Sequence, residues 1–208
     1  MSAERAPAPL LLFAALLEYP GTRGRDPARE CADAVRAESP EAAALLTAFA
    51  ELADRTPRHR MEELYTSALD FDDRAQPYLG GHLFGESYKR SLFLIGLSER
   101  YRQHGFERGQ ELADHIAVVL RFLAHAWGTG DAEELVSEGL LPALGKIVAG
   151  LGPAEEQEDA RRGRDVYGLV LRALECWLSA RAGQSVATTS VTAVSAAGPR
   201  TANEGVGR

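Results

Sequence analysis

Apolar residues recur at three- and four-residue intervals along almost the whole of this 208-residue chain, and nowhere do they alternate as a strand would require. Pro9 to Tyr19 reads as a short apolar helix stopped by Pro20-Gly21. Asp26-Pro27 looks like an N-cap with proline at the first helical position, opening a second helix to about Glu38. Ser39-Pro40-Glu41 repeats that signal, and Leu45, Leu46, Phe49 and Leu52 then mark one face of a third helix. Thr56-Pro57 starts a fourth, with Met61, Leu64, Tyr65, Ala68 and Leu69 on its apolar face.

After an interruption at 70–86, Ser87 to His104 resumes as a helix that is apolar nearly all round its first half (Leu92, Phe93, Leu94, Ile95, Leu97). That pattern predicts a central, buried helix, ended by Gly105. From Glu111 a regular amphipathic helix carries Leu112, Ile116, Val119, Leu120, Leu123 and Trp127 on one face, and Gly128 and Gly130 close it. Asp131 is the expected cap of the next helix, which Pro142 should kink or split. The last helix is expected from Pro153, with an acidic first turn, a Glu158–Arg162 pair and a buried face of Val166, Leu169, Val170, Ala173, Leu174, Trp177 and Leu178. Beyond Gly183 the chain turns to Ser, Thr, Ala, Val and Gly, the composition of a disordered tail. The expected fold is therefore all-α: a single helical-bundle domain of about eight helices over 8–182, between a flexible stretch at 1–7 and a disordered tail at 183–208.

The loop from Phe71 to Ser87 does not fit the role of a connector. Connections in compact domains run to about 4 to 6 polar residues; this one is longer and carries Phe71, Tyr78, Leu79, Leu83 and Phe84 beside Asp72 and Glu86. Aromatics around a few carboxylates suit a groove that receives an apolar helix or extended peptide bearing arginines. The same residues also suit a loop tucked over its own core. Asp114-His115 has two readings as well. A carboxylate can orient an imidazole for acid–base work, but neighbours on a helix point about 100° apart, which favours the reading that Asp114 serves the helix N-terminus with His115 packed at its edge.

Composition narrows the classes. A formal charge of −7 argues against nucleic acid and against docking on an anionic membrane. Leu10 to Leu17 is far shorter than the roughly 20 residues that span a bilayer, and it lacks the flanks of a secretory signal. No stable membrane insertion is expected. Cys31 and Cys176 stand alone and far apart, which suits a reducing cytosol; Cys176 lies in an apolar run and reads as a buried small hydrophobe. There is no phosphate loop, no Gly-x-Ser-x-Gly elbow and no His-Glu-x-x-His pair. The five histidines (His59, His82, His104, His115 and His125) lack the repeated Glu-x-x-His spacing of a di-metal bundle, so no metal or other cofactor is expected.

Three motifs carry a resemblance. They are Leu16-Leu17-Glu18-Tyr19-Pro20, then His82-Leu83-Phe84-Gly85-Glu86-Ser87 with Arg90, then Ala113-Asp114-His115. In this order they resemble the delta-subunit chaperones of respiratory nitrate reductase and the related TorD-type chaperones of molybdenum enzymes. Ala113 stands where that family has proline, and Tyr88 where arginine is expected. The resemblance implies a cytoplasmic, non-catalytic protein, monomer or dimer. Its partner would be the apo catalytic subunit of a molybdopterin oxidoreductase, held by its N-terminal peptide while the cofactor is inserted. It places Glu86 and Asp114 against cations of that peptide and Tyr65, Tyr78, Phe84 and Phe122 against its apolar side chains, with His82, Arg90 and His115 in the same region. Two other readings compete: a small all-α metal-dependent hydrolase using Asp114, His115 and His82, and a helix-binding scaffold unconnected with molybdenum.

Overall fold

The computed structural model describes residues 7–20, 27–70, 74–151 and 158–195, with side chains of the last stretch described over 162–182. Every regular element among them is helical: α1 (Ala8–Leu16), α2 (Pro27–Val35), α3 (Pro40–Arg55), α4 (Arg58–Tyr65), α5 (Leu79–Phe84), α6 (Tyr88–Gln103), α7 (Ile116–His125), α8 (Gly130–Glu134), α9 (Leu141–Gly150) and α10 (Glu158–Ser195). The fold is all-α, as the periodicity predicts.

Start signals fare unevenly. Ser39 caps α3 as expected, its hydroxyl accepting from the Ala42 N–H at 3.3 Å. Thr56 instead finishes α3, donating its hydroxyl to the Leu52 carbonyl, and α4 opens on Pro57 without a side-chain cap. Thr129, not Asp131, caps α8. Pro142 sits in the first turn of α9, and the preceding residues Leu135–Leu140 form a π-helical turn. A proline has no N–H to give the carbonyl four residues back, and the widened turn is where the ladder absorbs that loss. A second π-turn, Thr66–Asp70, continues α4.

The core forms where α10 lies along α3, α4 and α9 while α1 joins α2 to α7. Trp177 stacks on Phe13 with ring centroids 5.7 Å apart, and Tyr167 meets both Phe49 and Tyr65 edge-on. Burying such rings contributes about 1.5–3 kcal/mol each. The expected apolar faces of α4 and α10 are both inside, apart from a half-buried Leu169; on α3, Leu52 remains at the surface. Cys31 is the fully buried thiol, and burial pushes its pKa up to about 12; Cys176 is only partly buried.

One expectation is corrected. The helix predicted to be central, α6, lies on the surface: of its side chains only Leu97 and Tyr101 are buried. The enclosed helix is α7, where every residue from Ile116 to Leu120 is inside, together with Phe122 and Leu123. The backbone of α10 is helical to Ser195. The proposed Asp26 cap, the Pro153 start, loop residues Phe71 and Asp72, and the end of the chain beyond 195 lie outside the described residues; so does the side chain of Glu158 and its expected pair.

Candidate peptide-binding site

The loop and the Asp-His step, separated in sequence, are joined by a short antiparallel bridge between Tyr78 and His115. The Leu79 N–H donates to the Asp114 carbonyl at 3.0 Å and the Ile116 N–H to the Pro77 carbonyl at 2.7 Å. Glu111 to His115 are consequently not helical. Helix α7 begins only after them, with His115 as its N-cap: Nδ1 accepts from the Ala117 N–H at 3.2 Å. The proton of the neutral ring is thereby left to Nε2. Burial lowers the His115 pKa, and the nearby carboxylates of Glu111 and Glu18 only partly oppose it. The Tyr78 ring stands edge-on to this imidazole at 5.4 Å, its hydroxyl reaching Glu111.

Asp114 points the other way, into the α5–α6 corner. Its carboxylate is completely buried; Oδ2 accepts from the Gly80 N–H at 3.1 Å and faces Arg90 Nε at 3.9 Å. The second distance is too long for a hydrogen bond, so Arg90 acts on it through space. Oδ1 has no hydrogen-bond partner among the described residues. Burial therefore dominates and raises the Asp114 pKa, against the opposing pull of Gly80 and Arg90. Gly80 is required here by contact: a Cβ on it would lie 2.8 Å from Asp114 Oδ2 and 3.1 Å from Arg90 Cγ. Gly85, which turns the chain from α5 into α6 with φ +61° and ψ −160°, occupies a conformation closed to L side chains.

From this buried hub the structure reaches solvent through Arg90, whose Nη1 donates to Glu86 Oε1 at 2.7 Å. The Glu86 side chain is 90% exposed. Phe84 lies beside it, tilted against Phe93 and partly in water. His82 turns inward, its Nε2 bonded to the Gln76 carbonyl at 2.8 Å, and burial lowers its pKa. Lys146 of α9 donates to the carbonyls of His82 and Leu83, tying off the end of α5.

Of the nine residues predicted for the site, seven therefore gather at the Tyr78–Arg90 loop and the Asp114-His115 step. The other two are core residues in this structure. Phe122 is wholly buried among Tyr101, His104 and Phe106. Tyr65 is buried too, its hydroxyl donating to the Leu17 carbonyl. Tyr65 nevertheless links the first motif to the rest, because Tyr19 packs edge-on against it and Glu18 forms an ion pair with Arg121 of α7. Sequence reasoning missed the surface that accompanies the hub. Tyr88, Leu92 and Ile95, at i, i+4 and i+7 on α6, are 75%, 48% and 65% exposed. Their signal is present in the all-round apolarity of the segment, a pattern that enclosure by neighbours would also produce.

A family model described as nitrate reductase delta subunit matches residues 32–147, more than half of the chain and the whole of the stretch from Tyr65 to Phe122. The chain belongs to the nitrate reductase delta-subunit family. No curated protein matches it. The delta-subunit family consists of molybdoenzyme assembly chaperones, which gives this chain a general chaperone role. The three side chains of the hydrolase alternative are otherwise engaged: Asp114 with Gly80, His115 with Ala117, His82 with Gln76. Among the described residues no group of three or more His, Cys, Asp or Glu side chains gathers as a metal site would, and no helix is long and apolar enough to cross a membrane.

Proposed function

We propose that this chain is a cytoplasmic chaperone that holds the N-terminal peptide of an immature catalytic subunit of a molybdenum-containing respiratory oxidoreductase, nitrate reductase or a relative. It keeps that subunit open for insertion of the molybdenum cofactor and turns nothing over itself. The observation that carries this reading is the pairing of a rigid buried hub with an unpartnered apolar surface. Asp114, Gly80 and Arg90 hold the α5–α6 corner in place, and the corner presents Phe84, Glu86 and Tyr88 to solvent. Burial of apolar side chains supplies most of the affinity in such a contact, and a carboxylate beside them selects a basic partner. Asp114 acts in this scheme by positioning Arg90 and the loop, since its own carboxylate is out of reach of a ligand.

The test is recovery of partners from native cytoplasm on the tagged protein, followed by mass spectrometry. A large molybdopterin-enzyme subunit, enriched when molybdenum is withheld, is the expected catch. Its absence under both conditions would overturn the reading.

A further inference from the structure

The segment that leads into α7 folds back on itself. The His115 N–H donates to the Leu112 carbonyl at 3.2 Å and closes a four-residue turn, 112–115, with Ala113 in its second position and Asp114 in its third. The hydrogen bonds of the hub start from this turn. The Asp114 carbonyl accepts from Leu79 and its Oδ2 from Gly80, while Ile116, just beyond, donates to Pro77. Moving the turn by about 1 Å would stretch these bonds beyond hydrogen-bonding distance and release the α5–α6 corner.

The second position of such a turn favours proline, whose ring holds φ near the value the turn needs. Ala113 brings no such restraint. Its N–H has no acceptor among the described residues, so a proline there would forfeit no hydrogen bond. The restraint comes instead from twelve residues earlier, where the Tyr101 hydroxyl donates to the Ala113 carbonyl at 2.7 Å. Tyr101 is itself held fast. It is 2% exposed, its ring lies 4.7 Å from Phe122 and 5.2 Å from Phe106, and its carbonyl accepts from the Phe106 N–H at 2.8 Å. Burial and the nearby Asp114 charge raise its pKa, so the hydroxyl stays a donor.

We propose that Tyr101 is a positioning residue of the candidate site: its hydroxyl clamps the 112–115 turn, the task a proline at 113 would perform, and thereby sets Asp114 against Gly80 and Arg90. Being enclosed, Tyr101 acts through the Ala113 carbonyl and touches no partner. Two adjacent residues are thus tied to α6 at separate points, Ala113 to Tyr101 near its end and Asp114 facing Arg90 near its start. The consequence for partner binding rests on the chaperone reading; the clamp on the turn does not.

The experiment is a double-mutant cycle on the full chain between Tyr101→Phe, which deletes the hydroxyl and keeps the ring, and Ala113→Pro, which supplies the restraint by another route. Two quantities are read: amide hydrogen exchange at Leu79, Gly80 and Ile116, and recovery of the molybdoenzyme subunit from native cytoplasm. Tyr101→Phe should lower protection at those three amides by about tenfold, the scale of one lost hydrogen bond, while Val119 and Leu120 inside α7 change by less than about threefold. Recovery should fall with it, and adding Ala113→Pro should bring both readouts back to within about twofold of the wild type. An equal loss at Val119 and Leu120 would make Tyr101 an ordinary core residue and overturn the proposal. So would unchanged protection in Tyr101→Phe, or a double variant that Ala113→Pro does not rescue. If Tyr101→Phe does not fold, Ala113→Pro alone decides: higher protection at Leu79 and Gly80 carries the clamp, and unchanged or lower protection overturns it. The two readings also separate. If Tyr101→Phe loosens the turn yet recovers the subunit undiminished, the positioning role falls and the chaperone stands. If the wild type recovers no subunit, the chaperone reading falls and the exchange pattern alone judges the clamp.

Discussion

Helices α6 and α7 carry similar apolar runs, Leu92-Phe93-Leu94-Ile95 in one and Val118-Val119-Leu120 in the other, and end in opposite surroundings. Helix α7 packs on α1, and Tyr101, Phe106 and Phe122 close into one aromatic cluster over it. Helix α6 is fastened near its ends: Arg90 faces Asp114 at one, while at the other Arg100 and His104 reach Asp131 and the Tyr101 hydroxyl donates to the Ala113 carbonyl at 2.7 Å. Its middle spans the gap with Leu92 and Ile95 toward water. All-round apolarity therefore has two origins, enclosure by neighbours or a second face kept for a partner, and only the presence of neighbours tells them apart.

The contrast is most sharply tested by truncation. Phe122→Ala leaves a cavity in the enclosed helix and should cost about 3–5 kcal/mol in urea unfolding, whereas Ile95→Ala on the exposed one should stay within about 0.5 kcal/mol. Comparable losses at the two positions would mean that α6 is buried after all. Next in size is Gly80→Ala. The added methyl drives Asp114 and Arg90 apart, and a loss of about 1–3 kcal/mol is expected, together with weaker client binding because the corner that presents α6 is displaced.

Smaller effects appear as pH dependence. The lowered pKa of His115 means that the unfolded chain takes up protons first as pH falls below the ordinary value of 6.5, so stability should decline on the acid side of that point. His82 acts in the same direction. In His115→Asn an acceptor for the Ala117 N–H remains while the titration is gone, and denaturation midpoints measured across that range should fall less steeply than in the wild type. Asp114 has the opposite sign. Its raised pKa lets the folded protein hold a proton longer than the unfolded chain, so its contribution to stability declines as pH rises above the ordinary value of 3.8 and levels off beyond the folded pKa. Asp114→Asn should remove that decline, and a pH profile unchanged by the substitution would contradict the burial argument. The smallest effect on the fold is expected from Glu86→Ala, whose side chain lies in water: an unchanged urea midpoint with a weaker client peptide is the predicted pair of results.

Much of the fold was legible in residue spacing. The Ser39 cap, the buried faces of α4 and α10, the glycine stop after α6 and the absence of strand alternation all depend on local chemistry, which the chain carries with it. The candidate site was legible as a set of residue types, aromatic, acidic and glycine-rich, and seven of its predicted members do converge. Phe122 and Tyr65 lie in the core, where a ring that fills a core and a ring that greets a ligand look alike in one dimension. The cap expected at Asp131 went astray for a related reason: Thr129, two residues earlier, captures the Ala132 N–H.

What the sequence determined by itself was therefore helicity and the chemistry within reach of the Asp-His step. Both follow from interactions a few residues long. Only the tertiary structure decided which apolar helix is enclosed and that Asp114 is buried against Gly80 rather than offered to a ligand. These outcomes depend on contacts between segments far apart in the chain, where burial and its electrostatic consequences are set by neighbours that no local pattern names.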